Sequence, residues 1–220
     1  MTESAPLIAV IGGTGDLGSA IARRLVKAGE RVVIGSRDPA KASATAAQLT
    51  VETARAVGAA GNVEAAAQAD LVILTVPFAS QETTLRDIGA AVAGKIVVDT
   101  TVPLVPPKVM RVQLPPEGSA AVRTQKILGE GVRVVSAFHN VAAHKLATDA
   151  LVDCDVLVFG DDKAARDAVV RLVGACGLRG LHAGALVNSA AAEALTSILI
   201  FINKQYAVDG GGIRITGIPS

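Results

Sequence analysis

Short apolar runs alternate with Ala-rich stretches of helical spacing along most of the chain. "LIAVIGG" at 7–13 reads as a strand. Residues 16–28 carry Leu17, Ile21 and Leu25 at i, i+4 and i+8, which predicts a helix. Gly29 stands where a left-handed residue would end it. The same alternation gives strands at 31–36, 69–77, 95–103, 132–141 and 154–162. It gives helices at 38–57, 79–93, 119–129, 142–150 and 163–176. Asp38 is the expected N-cap of the second helix, with Pro39 at its first position. The strands are nearly continuous in Val, Ile and Leu rather than alternating. Such strands are covered on both faces, so the expected fold class is α/β: a Rossmann-type, doubly wound, mostly parallel sheet between helical layers.

Two stretches depart from this rhythm. "LVPPKVMRVQLPPEG", 104–118, holds four prolines and can be neither helix nor central strand, so it is expected to be a long loop. Residues 186–206 read as one long, mostly apolar helix followed by the Gly-rich "DGGGIRITGIPS". The expected organisation is therefore a Rossmann-type domain over 1–183 and a small helical C-terminal part over 184–220.

Composition narrows the function classes. Half of the 220 residues are apolar, but there are only four Phe, one Tyr and no Trp, so aromatic platforms for single-stranded nucleic acid are a poor prospect. A net charge of +1 gives no electrostatic pull toward DNA or anionic membranes. Cys154 and Cys176 have no metal-site spacing and suit buried positions in a reducing compartment. No metal site is expected. The N-terminus lacks a basic, cleavable leader, and the most apolar stretch, Ala194 to Ile202, is too short to span a bilayer. These features predict a cytoplasmic protein whose partners are small-molecule cofactors, with no nucleic acid and no membrane.

The candidate chemistry begins at "AVIGGTGDLGSA". Gly13, Gly15 and Gly18 form a G-x-G-x-x-G pattern between a predicted strand and a predicted helix, the context in which the pattern has meaning. The early glycines allow a tight turn, Gly18 lets helix and strand pack closely, and N–H groups near Gly15, Asp16 and Leu17 face a pyrophosphate. An acid at the end of the second strand would bind the ribose hydroxyls of NAD and repel a 2′-phosphate. "VVIGSRDPAKA" offers Ser36 and Arg37 there instead, with Lys41 one turn into the next helix and Thr14 across the glycine turn. A guanidinium can fork onto phosphate oxygens, so these residues predict NADP(H).

The ends of later strands should converge on the nicotinamide. Thr75, Val76, Pro77 and Phe78 close the third predicted strand; His139, Asn140, Val141, Ala142 and Ala143 close the fifth. The set is mostly apolar and lacks a catalytic Lys, a Tyr-x-x-x-Lys pair or a carboxylate dyad. It suits alignment of two flat surfaces for hydride transfer in a dry slot. His139 is its one titratable group, read either as an orienting hydrogen-bond partner for an acceptor or as a structural residue satisfying backbone. His144 and His182 are read as structural or surface residues, and Asp99, Asp161 and Asp162 as turn and cap residues. Reduction of FMN or of a small imine or ketone, and a non-catalytic NADP-sensing role, remain alternatives on these residues.

The segments "IGGTGDLG", "IGSRDPAKA", "ADLVILTVPF", "VVSAFHNVAA", "GALVNSAAAEALTSILI" and "GGGIRITGI" together resemble the NADPH-dependent F420 reductases, also called F420H2:NADP oxidoreductases. The resemblance runs nearly end to end. It implies hydride transfer between NADP(H) and the 5-deazaflavin coenzyme F420, both held in one cleft. By position it implies 2′-phosphate contacts at Thr14, Ser36, Arg37 and Lys41, and pyrophosphate contacts from Thr14 to Leu17. The nicotinamide and deazaflavin pocket would fall around Val76 to Phe78, His139 to Ala143, Asn188, and the tail at Gly212 and Ile213. Known archaeal members have Trp at the position of Phe78 and differ in the two residues after His139. A homodimer is the expected assembly.

Overall fold

A computed structural model describes residues 6–218; the first five residues of the N-terminal reading and the last two of the tail lie outside it. Eight strands form one sheet in the order β3-β2-β1-β4-β5-β6-β7-β8. They are β1 (Leu7–Ile11), β2 (Arg31–Ser36), β3 (Gly58–Gly61), β4 (Leu71–Leu74), β5 (Ile96–Asp99), β6 (Arg133–Ser136), β7 (Asp155–Gly160) and β8 (Arg179–His182). The helices are α1 (Asp16–Lys27), α2 (Pro39–Thr53), α3 (Asn62–Gln68), α4 (Phe78–Ile88), α5 (Ala120–Leu128), α6 (Ala143–Leu146), α7 (Lys163–Ala175) and α8 (Ser189–Tyr206).

β1 to β6 run parallel, with β1 pairing both β2 and β4. The chain order reverses its direction of growth at β1, which opens the crevice where ligands of doubly wound sheets bind. β7 is antiparallel to β6, and β8 is parallel to β7. The two faces of the sheet carry separate apolar clusters. Val10, Ile34, Ile73, Val98 and Val135 pack under α1 and α7 with Ile21, Leu25, Val169 and Val173. Ala9, Ile11, Val72, Leu74 and Val97 pack under α3, α4 and α5 with Ala65, Leu85, Ile88 and Ala121. Each fully buried Val, Ile or Leu contributes roughly 1.5–3 kcal/mol. With so few aromatics, cohesion comes from many small side chains, and Phe138 and Phe159 are the buried rings.

The expected helix starts and stops hold where capping chemistry is present. The Asp38 carboxylate accepts from Ala40 N and Lys41 N, with Pro39 beside it. Ser119 caps α5 through Val122 N, and Asp162 caps α7 through Ala165 N. Three differences are instructive. α2 ends at Thr53 rather than near 57, because Ala54 takes a left-handed conformation (φ 54°) with no glycine to announce it. The edge strands β3 and β8, and α3 after β3, were not visible in the pattern: "GAAG" and "RGLH" have no apolar alternation. The helix expected at 142–150 is only α6, one turn long.

The C-terminal part is fastened to the sheet by polar groups. Glu193 on α8 accepts from Ala120 N (2.6 Å) and Ala121 N (3.1 Å), bracing the start of α5. Burial pushes its carboxyl up to about 7 against the pull of those two N–H groups. Next to it, the buried Asp99 accepts from Thr101 N, Thr124 Oγ1 and Gln81 Nε2. Leu186–Tyr206 is long and apolar enough by length and composition to cross a membrane, which corrects the shorter span read from Ala194 to Ile202. A third of it is buried inside the protein, through the face that carries Glu193.

Candidate functional site

The carboxyl ends of β1, β2, β4, β5 and β6 lie along one edge of the sheet. Here the sequence and the structure differ usefully. The apolar runs are longer than the strands: the ladder stops at Leu74, Asp99 and Ser136. The remainder of each run, 75–77, 100–103 and 137–141, becomes the loops that line the crevice.

At the glycine turn, Gly12 has φ +78° and packs against Thr75 and Val76. A Cβ on Gly18 would meet Thr75 Oγ1 at 2.5 Å, so only glycine lets α1 lie this close to the end of β4. α1 has no side-chain cap. Its first bond is Ser19 N to Gly15 O, at 2.9 Å, which leaves the N–H groups of Asp16, Leu17 and Gly18 without helical acceptors. With the helix dipole, those donors have the chemistry an anion requires. Thr14 is half-buried and lines a cavity of about 220 Å³ toward α2, with Ser19, Thr45 and Gln48.

At the end of β2, Ser36 is buried and its Oγ accepts from Asp38 N at 3.1 Å, leaving its hydroxyl hydrogen free to donate. Arg37 and Lys41 are exposed and take part in no ion pair among the described residues. Asp38 caps α2 through its carboxylate and pairs with neither cation. Two cations without ion-pair partners among the described residues therefore follow a free hydroxyl where an NAD-binding protein would carry an acid.

The other half of the crevice is quieter. His139 is buried, and burial lowers its pKa to about 4, so the ring is neutral at physiological pH. Its Nε2 lies 3.1 Å from Ser136 Oγ, while Nδ1 has no partner. Thr101 Oγ1, at the end of neighbouring β5, is also buried and unpartnered. Sequence reasoning missed Thr101; a second Thr after a strand-ending Asp gives no signal of its own. Phe138 holds φ +67°, an outlier for a bulky residue, in the loop that delivers His139. Val141, Ala142 and Ala143 follow as small, half-buried side chains.

Several expected contacts are committed inside the protein. Thr75 Oγ1 donates to Ile11 O at 2.9 Å. Asn140 Nδ2 donates to Ala192 O (2.9 Å) and reaches Thr196 Oγ1 (3.2 Å), so Asn140 ties the loop to α8. Phe78 turns toward the Pro-rich loop under the Arg123 guanidinium, 5.3 Å from its centroid. With Val105, Leu114 and Pro115 it lines a cavity of about 470 Å³. Asn188 is exposed and donates to Ala183 O, while its neighbour Val187 lines a separate cavity of about 800 Å³ beside α5 and β6. The tail does return to the crevice loop: Gly212 lies against Cys154 and Asn140 O, and Ile213 O accepts from Asp155 N. His144 and His182 are exposed partners of Asp209 and Asp167. Among the described residues, no group of three His, Cys, Asp or Glu side chains is placed to hold a metal ion.

Comparison with known proteins gives the family. Residues 7–103, from β1 to the loop after β5, match the family model of coenzyme F420-dependent NADP oxidoreductases. The F420-dependent NADP reductase of Methanothermobacter thermautotrophicus is 42% identical over 96% of this chain and 95% of its own. The chain belongs to the F420-dependent NADP reductase family. The reductase of Methanocaldococcus jannaschii is 39% identical over 96% of this chain and 98% of its own. A solved structure of a candidate F420-dependent NADP reductase from Arthrobacter sp. FB24 superposes with a TM-score of 0.83 over 97% of this chain and all of its own, at 26% identity. The likeness of this family member to its relatives therefore includes α8 and the tail as well as the dinucleotide-binding half.

Proposed function

We propose that this F420-dependent NADP reductase passes a hydride directly between the nicotinamide of NADP(H) and the deazaflavin ring of F420, stacked in the crevice at the ends of β4, β5 and β6. The oxidoreductase class and both coenzymes follow from its family. The observation that carries the NADP half is the pair of cations without ion-pair partners, Arg37 and Lys41, just after Ser36 at the end of β2. Ser36, Arg37, Lys41 and Thr14 would hold the 2′-phosphate, and the free N–H groups of Asp16 to Gly18 the pyrophosphate.

Bound together, NADP(H) and F420 would supply the hydride donor and acceptor, in either direction; the chain's own residues bind, orient and exclude water. Val76, Pro77, Val141, Ala142 and Ala143 supply flat apolar walls. The neutral His139, through Nδ1, and Thr101, through Oγ1, offer uncharged polar atoms for the amide or ring edges of the cofactors. The absence of a charged acid–base pair suits a transfer in which alignment and desolvation matter most. Residues 184–220 complete the cleft indirectly, with α8 holding the 139–143 loop through Asn140 and Thr196.

We also read the protein as a cytoplasmic homodimer acting on these small molecules. Ile198, Phe201 and Tyr206 leave about half or more of their surfaces exposed on α8, and both cysteines are free and buried. Light scattering should give twice the 22.2 kDa chain mass. The activity is tested by mixing the protein with NADPH and oxidised F420, with FMN in parallel. Bleaching of the deazaflavin absorbance is expected; turnover of FMN alone would replace F420 as the acceptor.

A further inference from the structure

Asn62 opens α3, directly after the edge strand β3. The register pairs Ser36 with Gly61, so Asn62 stands beside the end of β2, next to Ser36 and Arg37. Its side chain is nine-tenths buried. Yet Oδ1 has no hydrogen-bond partner, and no described group bonds Nδ2. Buried primary amides almost always have partners, and leaving one unsatisfied costs about 1–3 kcal/mol. Nothing in the packing requires an amide here. The Oδ1 atom lies 3.3 Å from where a Cβ on Gly35 would sit, and Ile11 Cδ1 lies only 2.7 Å from that point. Gly35 thus makes room for Ile11 and Asn62, rather than for a ligand.

We infer that Asn62 is a cofactor-specificity residue, contacting the 2′-phosphorylated ribose of NADP(H) from the end of β3. The inference rests on the NADP reading above. In an NAD-binding site, a carboxylate at the end of the second strand accepts the ribose hydroxyls and repels a 2′-phosphate. A phosphorylated ribose still offers its 3′-hydroxyl as a donor and adds phosphate oxygens as acceptors. An amide can serve both, accepting through Oδ1 and donating through Nδ2, with no charge to repel the phosphate. The polar function missing from the end of β2 is supplied in neutral form from the end of β3.

The test is direct binding of NADPH and NADH, followed by nicotinamide fluorescence, so no second substrate is involved. Asn62→Asp keeps shape and adds a negative charge. It should weaken NADPH at least about tenfold and leave NADH equal or tighter, so that the preference narrows. Asn62→Leu removes the amide while filling the same space. It should fold with an unchanged or higher Tm and still lose several-fold in NADPH affinity, a separation that a purely structural asparagine would not show. Parental NADPH affinity in a folded Leu variant, or an unchanged NADPH-to-NADH ratio in the Asp variant, overturns the inference. Equal affinities for the two dinucleotides in the parent protein would instead overturn the NADP reading on which it rests.

Discussion

The two ends of the crevice use polar groups in opposite ways. At the β1–β2–β3 end, hydrogen-bonding capacity is left open: three N–H groups at the start of α1, the Ser36 hydroxyl, and the Arg37 and Lys41 side chains. At the β4–β5–β6 end, most polar groups are closed on the protein itself: Thr75 on Ile11, Asn140 on α8, Asp99 on Gln81, Thr101 and Thr124. An open polar surface suits the charged, hydrophilic end of a dinucleotide, where binding energy comes from phosphate contacts. A closed one suits rings that must lie flat and dry. If one half serves affinity and the other geometry, as proposed, variants in the two halves should fail in different observables.

The largest effect is expected at the open end. Arg37→Ala removes a charge-assisted contact of about 1.5–3 kcal/mol. NADPH affinity should fall roughly 10- to 100-fold, with NADH affinity nearly unchanged. Titration of both dinucleotides checks this; a parallel loss for both would mean that Arg37 acts on the fold rather than on the 2′-phosphate.

Next comes the brace at the closed end. Asn140→Ala deletes two hydrogen bonds to α8, one fully buried and one partly buried. It should cost about 1–3 kcal/mol, seen as a lower Tm. The comparison makes the sharper claim: kcat for F420 should drop while NADPH affinity stays near parental. A variant that loses NADPH binding as well would show that the two halves are coupled.

The contrast also explains how much was legible in the sequence. At the open end the turn was legible, because α1 can lie this close to the end of β4 only with glycine at fixed offsets, and the cations after β2 were read directly from the chain. The sheet was legible through its continuous apolar strands. At the closed end the apolar character was visible but the assignment of partners was not. Asn140 and Thr75 look like ligands until their acceptors are known, and those acceptors lie 52 and 64 residues away in the chain. Asn62 escaped notice because β3 is only "GAAG", and without that strand nothing places Asn62 beside Ser36.

Two buried groups at the closed end give opposing pH signatures. Glu193 has its carboxyl raised from 4.5 to about 7, so between those values the native state holds a proton that the unfolded chain releases. Its contribution lowers stability as pH rises from 4.5 toward 7. His139 is lowered from 6.5 to about 4, so the unfolded chain takes up the proton and stability rises with pH over 4 to 6.5. The two slopes, each at most about 1.4 kcal/mol per pH unit, largely cancel between 4.5 and 6.5. Glu193→Gln should unmask the rising limb and His139→Gln the falling one, as measured by urea unfolding across that range. Variants that tilt the same way would refute this pairing.

The smallest effect sharpens the comparison most. If the closed end works by alignment, His139 should not move a proton during turnover. A general acid or base there would contribute roughly 100- to 10,000-fold. An orienting ring whose Nε2 meets Ser136 and whose Nδ1 faces a cofactor atom should contribute less than about tenfold. His139→Gln keeps an amide within hydrogen-bonding reach and should recover most of what His139→Ala loses. In the parent, the rate should show no inflection near 6.5, because the buried ring stays neutral down to about 4. A limb near 6.5 that vanishes in the Gln variant, with a loss beyond 100-fold, would move His139 from positioning to proton transfer. It would also make the closed end a chemical site in its own right.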